Sequence, residues 1–439
     1  MESVALHNLG CKVNSYEMEV MQQILKEKGY KIVPFDGKAD IYIINTCTVT
    51  NIADRKSRQM LHRAKKRNPE AVVVAVGCYV ETGIEEIKAD PAIDLAISNN
   101  RKKDIAEILE NYLAGREIVS VPKNSGKYNS CEEMHLRSIT EHTRVYIKIQ
   151  DGCNQFCSYC IIPYARGRVK SRKEEDILEE VKRLASLGCQ EIVLTGIHIS
   201  SYGLDMGDGG LLQLLVKLNE IEGIKRIRLG SLEPGIITED FAGNLSRLIK
   251  ICPHFHLSLQ SGCDETLRRM NRHYTTGEYL EKVELLRRYF ENPAITTDVI
   301  VGFPGETNEE FERTESFLRS VRFYEMHVFK YSRRQGTKAA LMAAQVPDAV
   351  KNERSARLIV LGKEMEQAYI KEWMGRTVEV LFEEQIEESG NLLWIGHTKE
   401  YVKVAAEISA NLRGRIESGT INGFFLGDFP SLTLNFADR

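Results

Sequence analysis

The sequence predicts an α/β fold in three parts: an N-terminal doubly wound parallel sheet, a central partial (β/α)6 barrel and a small C-terminal antiparallel β unit. Three observations predict it. Apolar, β-branched runs alternate with amphipathic stretches over residues 1–112, the pattern of parallel strands joined by crossover helices. The same alternation recurs six times over residues 144–340. Over residues 372–439 it gives way to short alternating runs separated by Gly and Asn.

In the first part, residues 4–8, 41–45 and 72–76 read as strands buried on both faces, being short, apolar and β-branched. Helices are expected at 15–28 and 53–67. A cysteine follows each strand: Cys11 after Leu9-Gly10, Cys47 after Asn45-Thr46 and Cys78 after Val76-Gly77. The carboxyl ends of parallel strands share one edge, where ligands bind. The topology therefore gathers three cysteines that are remote in sequence. One reading is a ligand set; the other is three small buried hydrophobes. Their common edge and adjacent turn residues favour the ligand set. Residues 113–143 are polar and irregular, with Gly115, Pro122, Gly126 and an isolated Cys131, and read as a linker.

Strands of the second part are expected at 144–150, 191–195, 226–230, 254–260, 295–302 and 326–331. The clearest helix is 174–187, with Ile177, Val181 and Leu184 on one face and Gly188 as its stop. Active sites of such barrels lie at the strand carboxyl ends. Residues 341–371 read as a connecting helix. The C-terminal runs are 377–382, 392–395, 401–404 and 414–421.

Composition narrows the class. The chain has 439 residues, 43% of them hydrophobic, which allows a buried core and excludes global disorder. A net charge of −3 and a pI near 6.4 exclude a globally basic nucleic-acid binder, but not a local basic patch. Ten cysteines are too sparse for a secreted disulfide scaffold. No apolar run approaches the roughly 18–20 residues of a membrane span, and the N-terminus lacks a secretory pattern. A cytoplasmic, reducing location without membrane attachment is expected.

The second part opens with Asp151-Gly152-Cys153-Asn154-Gln155-Phe156-Cys157-Ser158-Tyr159-Cys160. Three close thiolates can hold three irons of a four-iron cube and leave the fourth iron open. Zinc is the alternative, but structural zinc takes four protein ligands, usually as two pairs. No second C-x2-C pair exists. Cys189, Cys252 and Cys263 have no ligand spacing and read as packing residues.

The C-x3-C-x2-C loop, with Tyr159 before its third cysteine, resembles the radical S-adenosylmethionine (SAM) superfamily. There the open iron chelates SAM, and the reduced cluster generates a 5′-deoxyadenosyl radical. Six cysteines, an N-terminal α/β unit, the barrel and a C-terminal β unit together resemble the methylthiotransferases over nearly the whole chain. The resemblance implies two [4Fe-4S] clusters, one on Cys153, Cys157 and Cys160 and the other on Cys11, Cys47 and Cys78. It implies SAM as methyl donor and radical source, and a C-terminal TRAM domain. The motifs Leu9-Gly10-Cys11-Lys12-Val13-Asn14 and Asn45-Thr46-Cys47-Thr48-Val49-Thr50 look like the branch acting on N6-threonylcarbamoyladenosine in tRNA. The branch acting on isopentenyladenosine usually has Tyr-Gly-Cys-Gln-Met-Asn at the first cysteine, and the ribosomal branch Leu-Gly-Cys-Pro-Lys-Asn. The expected partners are a tRNA and an electron donor such as flavodoxin or ferredoxin, with the protein itself a monomer. The different-class alternative is a non-catalytic iron–sulfur electron carrier.

By the same resemblance Tyr159, Thr195, Gly196, Ser231, Glu233, Gln260 and Gly302 are the candidate SAM contacts. Thr195-Gly196 is otherwise a plain strand–turn pair, Glu233 a solvated loop acid. Gly302 would let backbone approach adenine. Arg166 and Arg168, after the loop, read as partners of SAM carboxylate or tRNA phosphate, or as solvated. Arg55, Lys56, Arg58, Arg63, Lys65, Lys66 and Arg67 place seven bases in thirteen positions beside Cys47. They read as a solvated helix face or, given the resemblance, as tRNA phosphate contacts, with Arg55, Lys56, Lys65, Lys66 and Arg67 as the tRNA-binding set. From Trp373 to Arg439, six Lys/Arg stand against ten Asp/Glu, a net of −4. RNA binding there would fall to Arg413, Arg415 and Lys403, with stacking by Tyr401 or Phe424.

Overall fold

The structure, a computed structural model, describes residues 2–116, 131–139, 143–207, 210–388, 390–426 and 430–435. Five parallel strands form the N-terminal sheet: β1 (Ser3–Asn8), β2 (Lys31–Val33), β3 (Ile41–Thr46), β4 (Val72–Gly77) and β5 (Leu95–Ile97), in the order β2-β1-β3-β4-β5. The short outer strands β2 and β5 were not legible as strands, because three residues carry no period. β3 is buried on every residue, as its Ile-Tyr-Ile-Ile run requires. Helix α1 (Lys12–Glu27) packs on one face and helix α2 (Asn51–Arg67) on the other.

The central unit is an open barrel of six parallel strands. β6 (Arg144–Lys148) leads to the hairpin β7 (Gln150–Asp151) and β8 (Lys170–Ser171). β9 (Glu191–Thr195), β10 (Arg226–Leu229), β11 (His254–His256), β12 (Ala294–Val301) and β13 (Glu325–Lys330) follow. The order is β6-β9-β10, then β11-β12-β13, with the halves linked by parallel bridges at Ile227–Ile251 and Leu232–Leu257. Alternate residues such as Ile147, Ile192, Ile227 and Phe255 join the apolar layer beneath the helices. Their neighbours Arg144, Glu191, Arg228 and His254 consequently face the lumen.

Within the expected linker, residues 131–139 form no helix or strand but lie packed against the core. This strap is pinned between α1 and the helix Glu174–Ser186: Tyr16 donates to the Met134 carbonyl at 2.5 Å, and the Leu136 amide to Glu180 at 2.7 Å. Cys131 is buried there, and burial pushes its thiol up to about 11.

After the helix Asp348–Lys371, five strands close a small barrel in the order β14-β15-β16-β18-β17: β14 (Thr377–Glu388), β15 (Asn391–His397), β16 (Lys403–Ala406), β17 (Ile416–Leu426) and β18 (Pro430–Asn435). Its neighbouring strands are antiparallel except β16 and β18. Arg226 and Arg228 reach from the foot of the central barrel to the carbonyls of Glu379, His397, Thr398 and Lys399. Tyr401 lies beneath both Arg144 and Arg228, 4.8 and 4.7 Å from their guanidinium carbons, and stacks on His397. It plugs the foot of the barrel and is not the RNA-stacking residue expected of it. No helix among the described residues is long and apolar enough to cross a membrane.

Candidate active site at two cysteine triads

The loop Cys153–Cys160 leaves β7 at the carboxyl end of the barrel. Gly152 makes the departure, with φ of +69°. A Cβ there would lie 1.9 Å from the Arg168 carbonyl oxygen, so only glycine fits. The Cys153 amide donates to the Gly167 carbonyl at 3.1 Å and the Cys160 amide to Cys157 at 3.0 Å. Two donors already point at sulfur: the Gln155 amide at Cys153 Sγ (3.4 Å) and Arg272 Nη1 at Cys157 Sγ (3.2 Å). Burial, then the neighbouring Cys157, pushes the Cys160 thiol up to about 12, and burial also raises Cys153. An iron-bound thiolate needs this cationic and N–H company, so the donor set fits a cluster.

The second triad assembles at the carboxyl edge of the N-terminal sheet. Gly77 turns the end of β4 with φ of +97°, and a Cβ there would sit 2.4 Å from the Thr46 carbonyl oxygen. That close approach places Cys78, the first residue of helix α3 (Cys78–Thr82), against the end of β3. Cys47 Sγ lies over Gly10, beside Cys11. Burial pushes Cys47 up to about 11, with Cys78 and Cys11 adding to the rise. Two asparagines brace the ends of β1 and β3 against helix α1. Asn14 Nδ2 donates to the carbonyls of Leu9 (2.8 Å) and Thr46 (3.0 Å), and Asn45 Nδ2 to the Asn14 carbonyl (2.9 Å). These roles sit inside the two quoted motifs, but pattern alone does not assign them.

Arg166 ties the triads together. It is fully buried, neither solvated nor free for phosphate. Its Nε donates to Cys78 Sγ at 3.1 Å, Nη2 to Asn14 Oδ1 at 2.6 Å, and Nη1 reaches Glu17 and Asp151. Glu17 also pairs with Lys102 and, at 2.7 Å, with Lys148. Burial alone would raise the Glu17 carboxyl, but the charges of Arg166, Lys102 and Lys148 outweigh it and hold the carboxyl well below its ordinary range. Arg168 instead stacks on Phe156, 4.3 Å from the ring centre.

The other candidates ring the barrel mouth. Thr195 ends β9, and Gly196 gives Gln150 room: a Cβ there would meet the Gln150 carbonyl oxygen at 3.0 Å. Glu233 pairs with Arg272 at 2.6 Å and lies 3.6 Å from His198. Burial raises its carboxyl, but His198 and Arg272 outweigh that and leave it low, so it is no solvated loop acid. Ser231 is exposed beside it. Gln260 holds φ of +71° and bridges to β12. Tyr159 packs edge-on against Phe303. Gly302 has a different neighbour from the one expected: a Cβ there would lie 2.3 Å from Lys351 Cγ, so its close approach is to the helix Asp348–Lys371. Arg272, which touches Cys157 and Glu233 at once, carried no sequence signal.

Helix α2 divides its bases. Lys65 is paired with Asp94 at 2.8 Å, and Arg63 and Arg67 share Asp36. Arg58 donates to Tyr79. Arg55, Lys56 and Lys66 are exposed, without an ion pair among the described residues.

Comparisons with known proteins agree with this layout. Residues 147–318 match the radical SAM superfamily, and residues 3–98 match Uncharacterized protein family UPF0004. The radical SAM methyltransferase TsrM from Kitasatospora setae shares the fold, with a TM-score of 0.57 and 17% identity over 75% of this chain and 73% of that one. Barrel, cysteine loop and superfamily match define a radical-SAM enzyme. The threonylcarbamoyladenosine tRNA methylthiotransferase MtaB of Bacillus subtilis is 41% identical over 95% of this chain and 93% of its own, and that of Thermotoga maritima 35% identical over 92% and 91%. A tRNA-2-methylthio-N(6)-dimethylallyladenosine synthase from Thermoanaerobacter sp. is 39% identical over 86% and 81%. The chain belongs to the radical-SAM tRNA methylthiotransferases, enzymes that use SAM and a [4Fe-4S] cluster.

Proposed function

We propose that the enzyme places a methylthio group on C2 of the adenine of N6-threonylcarbamoyladenosine in tRNA. The observation that carries this choice of substrate is the polar barrel lumen. Arg144, Arg228, His254, His256, Asp298 and His327 occupy alternate, inward positions of their strands. His256 Nε2 lies 3.5 Å from Asp298, and its ring stacks on His327 at 6.0 Å. A lumen of charges and imidazoles suits an anionic, hydroxylated N6 substituent and would leave its polar groups unpaired around an isopentenyl tail. Relatives named for threonylcarbamoyladenosine support the same reading.

In this reading Cys153, Cys157 and Cys160 hold the SAM cluster, and Cys11, Cys47 and Cys78 hold a second. Tyr159, Thr195, Gly196, Ser231, Glu233 and Gln260 line the SAM site. Bound there, SAM supplies a methyl group and a hydrogen-abstracting radical. The chain's own residues orient both clusters: Arg272 and Gln155 donate to sulfur in the barrel, and Arg166 donates across to Cys78. A flavodoxin or ferredoxin supplies electrons to a monomeric enzyme. Nucleoside mass spectrometry of tRNA from cells lacking the protein tests the substrate. Loss of 2-methylthio-N6-threonylcarbamoyladenosine is expected; loss of the isopentenyl analogue instead would overturn the assignment.

A further inference from the structure

Lys12 opens helix α1 directly after Cys11. Its side chain is accessible to solvent, yet the charges acting on it are Arg228, Arg144 and Asp298, and it acts in turn on His254. Its ammonium therefore lies within electrostatic range of the inward-facing residues of the barrel, next in sequence to Cys11. The two arginines are committed. Arg228 is held by Glu191 at 2.8 Å and by the carbonyls of Lys399 and Thr398, and Arg144 by Glu383 at 2.8 Å. Lys12 makes no ion pair or hydrogen bond among the described residues. With Arg228 and Arg144 matched by Glu191 and Glu383, the Lys12 ammonium is the cation left free to bond, and an anionic group reaching it gains a charge-assisted contact there.

We propose that Lys12 is a specificity-determining residue, binding the carboxylate of the threonyl group on N6 of the target adenine. This rests on the threonylcarbamoyladenosine reading above. An ammonium and a carboxylate form a charge-assisted hydrogen bond, which a neutral or apolar substituent cannot supply. Asp298 is the carboxylate facing Lys12, and beside it the imidazoles of His256 and His327 offer partners for the hydroxyl and carbamoyl of the same substituent.

The test uses the cluster-loaded enzyme and anticodon stem–loops carrying threonylcarbamoyladenosine, its threonyl methyl ester, or isopentenyladenosine. Binding is read by fluorescence anisotropy at fixed salt, alongside kcat/KM. The wild type is expected to bind the free acid about tenfold or more tightly than the ester, the ratio that one charged hydrogen bond supplies. Lys12→Gln should abolish that ratio by weakening the acid alone. Lys12→Arg should preserve it, and unchanged iron content shows that neither variant has lost its fold. If the wild type methylthiolates the threonylcarbamoyl stem–loop while Lys12→Gln keeps the full acid-to-ester ratio, the assignment to Lys12 is overturned and the substrate reading stands. If the wild type shows no acid preference and turns over the isopentenyl stem–loop, both fall together.

Discussion

Arg166 Nε lies 3.1 Å from Cys78 Sγ, joining the loop of the barrel triad to a cysteine of the N-terminal triad. The same guanidinium contacts Glu17, Asp151 and Asn14, so one side chain sets the register between the two units. Only a planar fork can satisfy all four directions at once.

Arg166→Lys is therefore not a conservative change. The ammonium can replace one or two of these contacts and leaves the remaining buried groups short of partners. A loss of about 3 kcal/mol of stability is expected, at the low end for a broken buried ion-pair network. Removing the donor to Cys78 should also lower the reduction potential of the N-terminal cluster and leave the barrel cluster unmoved. Thermal unfolding under argon and a spectroscopic redox titration read the two effects. An unchanged unfolding temperature would show that the network is dispensable.

The two glycine turns predict separable lesions. Gly152→Ala forces a Cβ into the Arg168 carbonyl, and Gly77→Ala forces one into the Thr46 carbonyl, each in a left-handed conformation. Backbone cannot yield as a side-chain tip does. Each variant should fall from about eight irons per chain to about four, one cube being lost. Gly152→Ala should lose SAM cleavage with its cluster. Gly77→Ala should still form 5′-deoxyadenosine and fail at methylthio transfer. Loss of all iron from either variant, with the fold retained, would argue against two independent sites.

Much of this was legible in the sequence because the signals are local or periodic. Strand-end cysteines are placed by parallel topology, and the barrel loop by its spacing. What escaped depends on side chains meeting across the chain. Arg272 and Cys157 are 115 positions apart, and Arg166 and Cys78 are 88 apart; neither arginine stands in a pattern that names its partner. Gly302 was legible as a close-approach site, but not what approaches, since Lys351 comes from a later helix. Tyr401 read as a stacking residue for RNA because it is an aromatic in the C-terminal β unit. Its place at the foot of the barrel follows from Arg144, Arg228 and His254 converging on it.

Helix α2 gives a prediction that separates electrostatics from folding. Arg55, Lys56 and Lys66 are the exposed, unpaired bases, whereas Lys65 and Arg67 hold Asp94 and Asp36. Removing one base from a phosphate reduces the log–log salt slope of tRNA binding by about 0.9. The triple change Arg55→Ala, Lys56→Ala, Lys66→Ala should lower that slope by between about two and three units. Changing Lys65 and Arg67 should instead lower the unfolding temperature slightly and leave the slope nearly unmoved. Equal slopes for the wild type and the exposed-base triple variant would make α2 a solvated face.

Glu17 gives the pH dependence. It is fully buried among Arg166, Lys102 and Lys148, and its carboxyl is held well below the ordinary value of 4.5. A carboxyl with a depressed folded-state pKa contributes stability that is complete above its unfolded pKa. That contribution drains away as pH falls through the folded value. Glu17→Gln leaves Arg166 and Lys148 with Asp151 and takes from Lys102 the carboxylate it pairs with. It should cost about 3–5 kcal/mol at neutral pH. The gap between wild type and variant should stay flat from pH 7 down to about 4.5 and narrow below it, because only the wild type has this proton to gain on unfolding. Unfolding temperatures followed by tryptophan fluorescence across that range read the gap. A gap that instead widens on acidification would mean that Glu17 is protonated in the native state and that the three cations are neutralised by other groups.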